Sequence, residues 1–300
     1  MEGTHLTGLE GTNPLGFLAA LGVQTIFDLE AEVPRLRWSD DVIPHAMVDP
    51  RYTVERIAEH AMRVFPSWRE SSALEPGLVP TGDVKFEPGT LRAYLTNNRE
   101  PTPVNALATA LVAEGSLDGN GVAKPTDLYF TAGRQLFLRM ACEILQNVTV
   151  GDVANALSGP WPYTSELPSL MWDVTDDRIY ALAAYDPASE KKLSNPGAEA
   201  LALVGLARYP VFAGKNRTLT QGFSGSWKRG WYTWPLWDRP AGSGAVRSLL
   251  AHASIGPDSH DGRISWYPSW GVTVVLRAAV RRSDQGGYGT FTPPEVVWQR

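Results

Sequence analysis

Residues 13–27, NPLGFLAALGVQTIF, carry no charge at all. A helix that is apolar on every side must be covered on every side, so this segment predicts a central element with other structure packed around it. Its start is marked: Asn13 suits an N-cap, and Pro14 suits the first helical position, where a missing N–H leaves no bond unmade. Gly16 and Gly22 each cost about 1 kcal/mol relative to Ala inside a helix, and are expected where a neighbouring backbone comes close. The segment falls short of the roughly 20 residues that cross a bilayer, and no basic stretch precedes it, so it reads as a core helix of a cytoplasmic protein with no membrane partner.

Further helices are expected over residues 53–64, 103–113, 134–145, 151–157, 196–207 and 244–253. Strands are expected over 4–9, 36–38, 128–130, 178–184, 263–267 and 272–280. Residues 66–102 and 115–126 read as surface loops from their Gly, Pro and Asn content and weak periodicity. The fold class is mixed α+β, irregular in architecture, with an N-terminal strand, turn and apolar helix and a Trp-rich, β-containing C-terminal region. Cys142, the one cysteine of the 300 residues, sits in a helical pattern among apolar neighbours and reads as buried and inert.

The net charge of −5 conceals a division along the chain. Residues 205–300 hold 12 Lys or Arg against 5 Asp or Glu, while residues 1–204 hold 15 against 27. The expected organisation is an acidic α+β body over 1–204 with a basic region over 205–300 packed on it, the two forming separate units or a single domain. A basic surface of this kind suits a polyanion, and it equally suits complementing the acidic half from within one domain.

Most chemical signatures fail. No phosphate-binding G-x-x-x-x-G-K-[ST] or dinucleotide fingerprint is present. Gly222-Phe223-Ser224-Gly225-Ser226 places Ser where a nucleophile elbow needs its second Gly. His5, His45, His60, His252 and His260 show no metal-ligand spacing, so no metal or cofactor is expected. Asp173, Asp176 and Asp177 lack the Gly and terminal Glu of a calcium loop and read as a solvated turn. Gly11-Thr12-Asn13 before the apolar helix could offer N–H groups to a phosphate, but with Asn13 as cap it reads as a structural turn.

Residues 214–244 interleave tryptophans with Lys and Arg. Indole faces stack on unpaired bases while cations neutralise phosphates. Lys215, Asn216, Arg217, Trp227, Lys228, Arg229, Trp231 and Arg239 are therefore the candidate nucleic-acid-binding residues, with Trp234 and Trp237 assigned mainly to the core. The same residue types suit a glycan or small-molecule cleft, an unrecognised hydrolase, or an adaptor surface for another protein.

Three stretches together resemble a known family: LTGLEGTNPLGFLAALG at the start, DDRIYALAAYDP followed by NPGAEALALVGLARYPVF in the centre, and FSGSWKRGWYTWPLW near the end. They resemble accessory and large-subunit-like proteins of type I-G (formerly I-U) CRISPR effector complexes, over scattered parts of about half the chain. The resemblance implies a non-catalytic subunit of an RNA-guided DNA surveillance complex in antiviral defence. It would contact guide RNA or target DNA beside other effector subunits and a helicase-nuclease, in an assembly where base pairing reads sequence and protein holds backbone and flanking motif.

Overall fold

The computed structural model describes residues 2–77, 82–131, 133–174, 193–214, 217–252, 255, 266–282 and 288–300. The chain is a mixed α+β protein of several small sheets. In order, its elements are β1 (Thr4–Glu10), α1 (Pro14–Thr25), β2 (Leu36–Trp38), β3 (His45–Val48), α2 (Val54–Arg69), α3 (Pro88–Asn97), α4 (Pro103–Leu111), β4 (Val112–Leu117), β5 (Ala123–Pro125), α5 (Phe137–Asn147), α6 (Val150–Ser158), α7 (Pro196–Gly205), β6 (Val211–Ala213), β7 (Thr218–Thr220), β8 (Phe223–Gly225), β9 (Arg229–Trp237), α8 (Ser243–Leu250), β10 (Val272–Arg282), β11 (Gly289–Phe291) and β12 (Glu295–Gln299).

Every residue of α1 and every residue of α7 is buried, as an all-round apolar helix demands. Asn13 caps α1, its Oδ1 accepting from the Leu15 N–H at 2.9 Å. The two helices lie against each other through glycine. A Cβ added to Gly22 would sit 1.8 Å from the Leu201 carbonyl oxygen, and one added to Gly205 would sit 2.1 Å from that of Leu18.

They run in the same direction, because side chains join them at both ends. Where they begin, buried Asp173 accepts from Asn13 Nδ2 (3.0 Å) and from the Tyr163 hydroxyl (2.7 Å), while the Tyr163 N–H donates to Asn195 Oδ1 (3.2 Å). Where they finish, Arg208 donates from Nε to Thr25 Oγ1 (2.9 Å) and from Nη2 to Asp28 Oδ1 (2.8 Å).

Two sheets flank this pair. One has strand order β1-β3-β2, and the other runs β11-β10-β9-β8 with β12 also paired to β10; all their pairings are antiparallel. A backbone bridge between Leu36 and Ala241 ties the first sheet to the chain leaving β9. Indole N–H groups add to the link: Trp234 Nε1 donates to the Gly11 carbonyl (2.9 Å) and Trp237 Nε1 to that of Leu36 (2.7 Å). Both rings are core, as expected from the sequence. No helix among the described residues is long and apolar enough to cross a membrane.

Several expectations need correction. Residues 66–102 contain α3, which buries Leu91 and Tyr94, and the preceding Val84 and Phe86 are core as well. With only two buried positions in ten residues, α3 shows little periodicity in sequence. Residues 115–126 contribute to the β4–β5 hairpin. The apolar run 128–130 is no strand: the Leu128 carbonyl accepts from Trp172 Nε1 and that of Tyr129 from Arg282, and among the described residues only Phe130 accepts from a distant backbone N–H, that of Gly289. Asp173 lies in the core, 3% exposed, and not in a solvated turn. Asp176, Asp177 and the strand expected over 178–184 lie outside the described residues, as does most of that expected over 263–267, whose last two residues form a turn. Cys142 is only partly buried, its Sγ 3.8 Å from the Leu74 carbonyl.

Substituting Gly22→Ala forces α1 and α7 apart and should cost about 3 kcal/mol, read as a lower urea midpoint. Gly89→Ala, where a Cβ meets nothing within 4 Å, is the control and should leave the midpoint unchanged or raised. Burial, reinforced by Glu75, pushes the Cys142 thiol up to about 11. Because the thiolate is the reacting form, alkylation by iodoacetamide should rise about tenfold per pH unit from 8 to 10. A plateau by pH 9 would contradict that environment.

Candidate functional site

The β8–β9 hairpin is built for display. Gly225 pairs with Gly230, and Ser226 and Arg229 exchange backbone bonds of 3.1 Å in both directions, leaving Trp227 and Lys228 alone at the tip. Gly225 takes a left-handed φ of +78°, which a Cβ would strain, and a Cβ there would also meet the Arg229 carbonyl at 2.5 Å.

From this turn β9 runs with a period of two. Tyr232 and Trp234 face the core, whereas Arg229 and Trp231 face solvent. On β10, Arg281 is the partner of Arg229, Ala279 of Trp231 and Arg277 of Thr233. One outward face therefore carries Arg229, Trp231, Arg277 and Arg281, with Lys228 at its edge. Arg229 and Arg281 stand directly opposite each other on this face.

The hairpin's two exposed indoles, Trp227 and Trp231, are each backed by a guanidinium. Arg277 lies 4.5 Å from the centroid of Trp231 and is held there by Glu295, to which its Nε donates at 2.9 Å. Trp231 remains 37% exposed with that group over one face. At the tip, Arg282 lies 3.5 Å from the Trp227 centroid and 5.0 Å from that of Phe130. It donates to three carbonyls: Trp227 (2.9 Å), Tyr129 (2.7 Å) and Asp127 (2.8 Å). Burial lowers the pKa of Arg282 to about 10, opposed by nearby Asp127, and it stays a cation at neutral pH. Burial conversely raises the Asp127 carboxyl, against a hydrogen bond from Thr220.

Of the residues singled out from sequence, Trp227, Lys228, Arg229 and Trp231 come together on this hairpin. Arg217 joins them at its root, its Nη1 donating to the Gly225 carbonyl. Lys215 and Asn216 lie outside the described residues. Arg239 does not belong to the cluster: it follows the far end of β9, about 20 Å beyond Trp231 at the rise of an extended strand. There it lines a separate cavity with Trp237, Leu249 and Trp270. Arg277, Arg281 and Arg282 were missed, although the alternation in VVLRAAVRR, with Arg277 and Arg281 an even number of residues apart, signals one shared face.

Comparison with protein-family models and with curated proteins finds no match.

Replacing Arg282 with Met strands the three carbonyls and should cost about 3 kcal/mol. The tip would loosen with it, so a red-shifted Trp emission well below the melting transition is the accompanying sign.

Proposed function

We propose that this chain is a non-catalytic subunit of an RNA-guided DNA surveillance complex, and that the hairpin and the outward face of β9 and β10 hold nucleic-acid backbone. The observation that carries the reading is the sharing of one solvent-facing surface by an exposed indole, Trp231, and the arginines Arg229, Arg277 and Arg281. Phosphates pair with guanidinium groups, and an unpaired base stacks on the indole or on the guanidinium plane above it. The surveillance complex itself is supplied by the resemblance of the three sequence stretches. Other effector subunits and a helicase-nuclease are its proposed partners, and the cytoplasm its proposed compartment.

The test is binding of single-stranded oligonucleotides across a salt series. Exchanging Lys228 and Arg229 together for Gln should weaken binding and reduce the slope of log affinity against log salt by about 1.4, two phosphate contacts' worth on a single strand. Trp231→Ala should cost about 1–3 kcal/mol with little change in that slope. Unchanged affinity and slope would overturn the interface. Isolation of the tagged chain from its own cells tests the complex: short repeat-derived RNA and stoichiometric partners support it, and an RNA-free lone chain defeats it.

A further inference from the structure

A second site lies where α1 ends. An open cavity of about 780 Å³, within the usual range for small-ligand sites, is bounded by Thr25, Asp28 and Leu29, by the start of α4, by the β6–β7 hairpin and by Arg247 of α8. Its rim is apolar and exposed. Leu29 is 77% exposed, Phe212 59% and Leu219 39%, and the last two are directly opposite each other on β6 and β7.

Its charges do not cancel. Arg99 and Glu100 pair with each other at 3.6 Å. Asp28 is shared by two guanidinium groups, Arg208 at 2.8 Å and Arg247 at 3.5 Å, which leaves one positive charge in excess. Asp28 and Arg208 are almost wholly buried. Arg208 spends Nε on Thr25 and Nη2 on Asp28 and on Ser243 Oγ (3.1 Å). Among the described residues its Nη1 is buried with no hydrogen-bond partner. A buried N–H without an acceptor is a cost that a native structure retains for a reason.

We propose that this cavity binds a small organic anion, an apolar body headed by a single carboxylate. The headgroup takes the free Arg208 Nη1 together with Arg247, cancelling the excess charge, and the body lies against Leu29, Ala106, Phe212 and Leu219. The proposal goes beyond the nucleic-acid reading and shares no residue with it.

Octanoate is the probe, titrated calorimetrically against the whole chain, with 1-octanol as the uncharged analogue and acetate as the headgroup alone. Octanoate should bind saturably, with octanol about tenfold weaker and acetate undetected up to about 10 mM. Removing Arg208 strands the buried carboxylate of Asp28 and endangers folding, so two other variants carry the test. Arg247→Gln should lower octanoate affinity about fivefold and leave octanol unchanged. Ala106→Trp, on the cavity wall, should abolish both. The Lys228 and Arg229 exchange should leave octanoate binding intact, so the failure of either proposal is visible without the other. Equal affinity for octanoate and octanol, or no saturable binding at all, would overturn the site.

Discussion

Where α1 and α7 meet, their backbones come too close for a Cβ, and the contact requires glycine on each side. Leu201 and Leu18 press their carbonyls into the space left at Gly22 and Gly205. Two helices lying in the same direction also align their dipoles, so positive ends meet at one end and negative ends at the other. The polar residues buried at those ends answer that arrangement. Asp173 sits where both helices begin, and Glu199 in the first turn of α7 accepts from Ser169 Oγ and the Leu170 N–H. Arg208 sits where both finish, with Asp28 as its counter-ion. The ends of the helix pair are thus the main places where charge enters the core, and one of them opens onto the cavity.

The displayed face follows from the same core. Phe17 of α1 stacks on Trp38, with ring centroids 5.6 Å apart, and lies 6.1 Å from Trp234. Because β9 alternates, fixing Tyr232 and Trp234 inward fixes Trp231 and Arg229 outward. The two indole N–H bonds to Gly11 and Leu36 set the strand's height against α1 and β2, so a one-residue slip would lose both bonds and invert the face. The outward residues are held on a rigid strand, which lowers the entropy lost when they engage a ligand.

The α1 and α7 helices were legible because a largely apolar sequence behind Asn-Pro, broken only by Glu199 in α7, leaves few alternatives. The core role of Trp234 fits alternation with Tyr232, whereas Trp237, an odd number of residues on, is core because β9 is buried on both faces from Tyr232 to its end. What could not be read was anything whose partner lies far along the chain. The carbonyls of residues 127–129 are taken by side chains of Trp172 and Arg282, so an apolar run that looks like a strand becomes a buried connection. Asp173 reads as solvated among its acidic neighbours, and only the meeting of the start of α7 with that of α1, 160 residues away, makes a buried carboxylate favourable there. On the candidate surface, composition pointed to the right hairpin. It did not separate Arg239 from the cluster, because adjacency in sequence is not adjacency along an extended strand.

Counting charges along the chain overstates what a polyanion would meet. Arg208 is matched by Asp28, Arg277 by Glu295 and Arg300 by Asp238, so part of the basic half is neutralised internally. Arg282 is different. Its bonds among the described residues go to three carbonyl oxygens, which use three of its five N–H groups, and the carboxylate that acts on its charge, Asp127, is a neighbour and not a bonded partner. Placed behind Trp227, it adds to the positive field at the hairpin tip, tempered by Asp127. Its structural duty and its electrostatic effect are separable, and a phosphate at the tip would feel the second through the ring that the first holds in place.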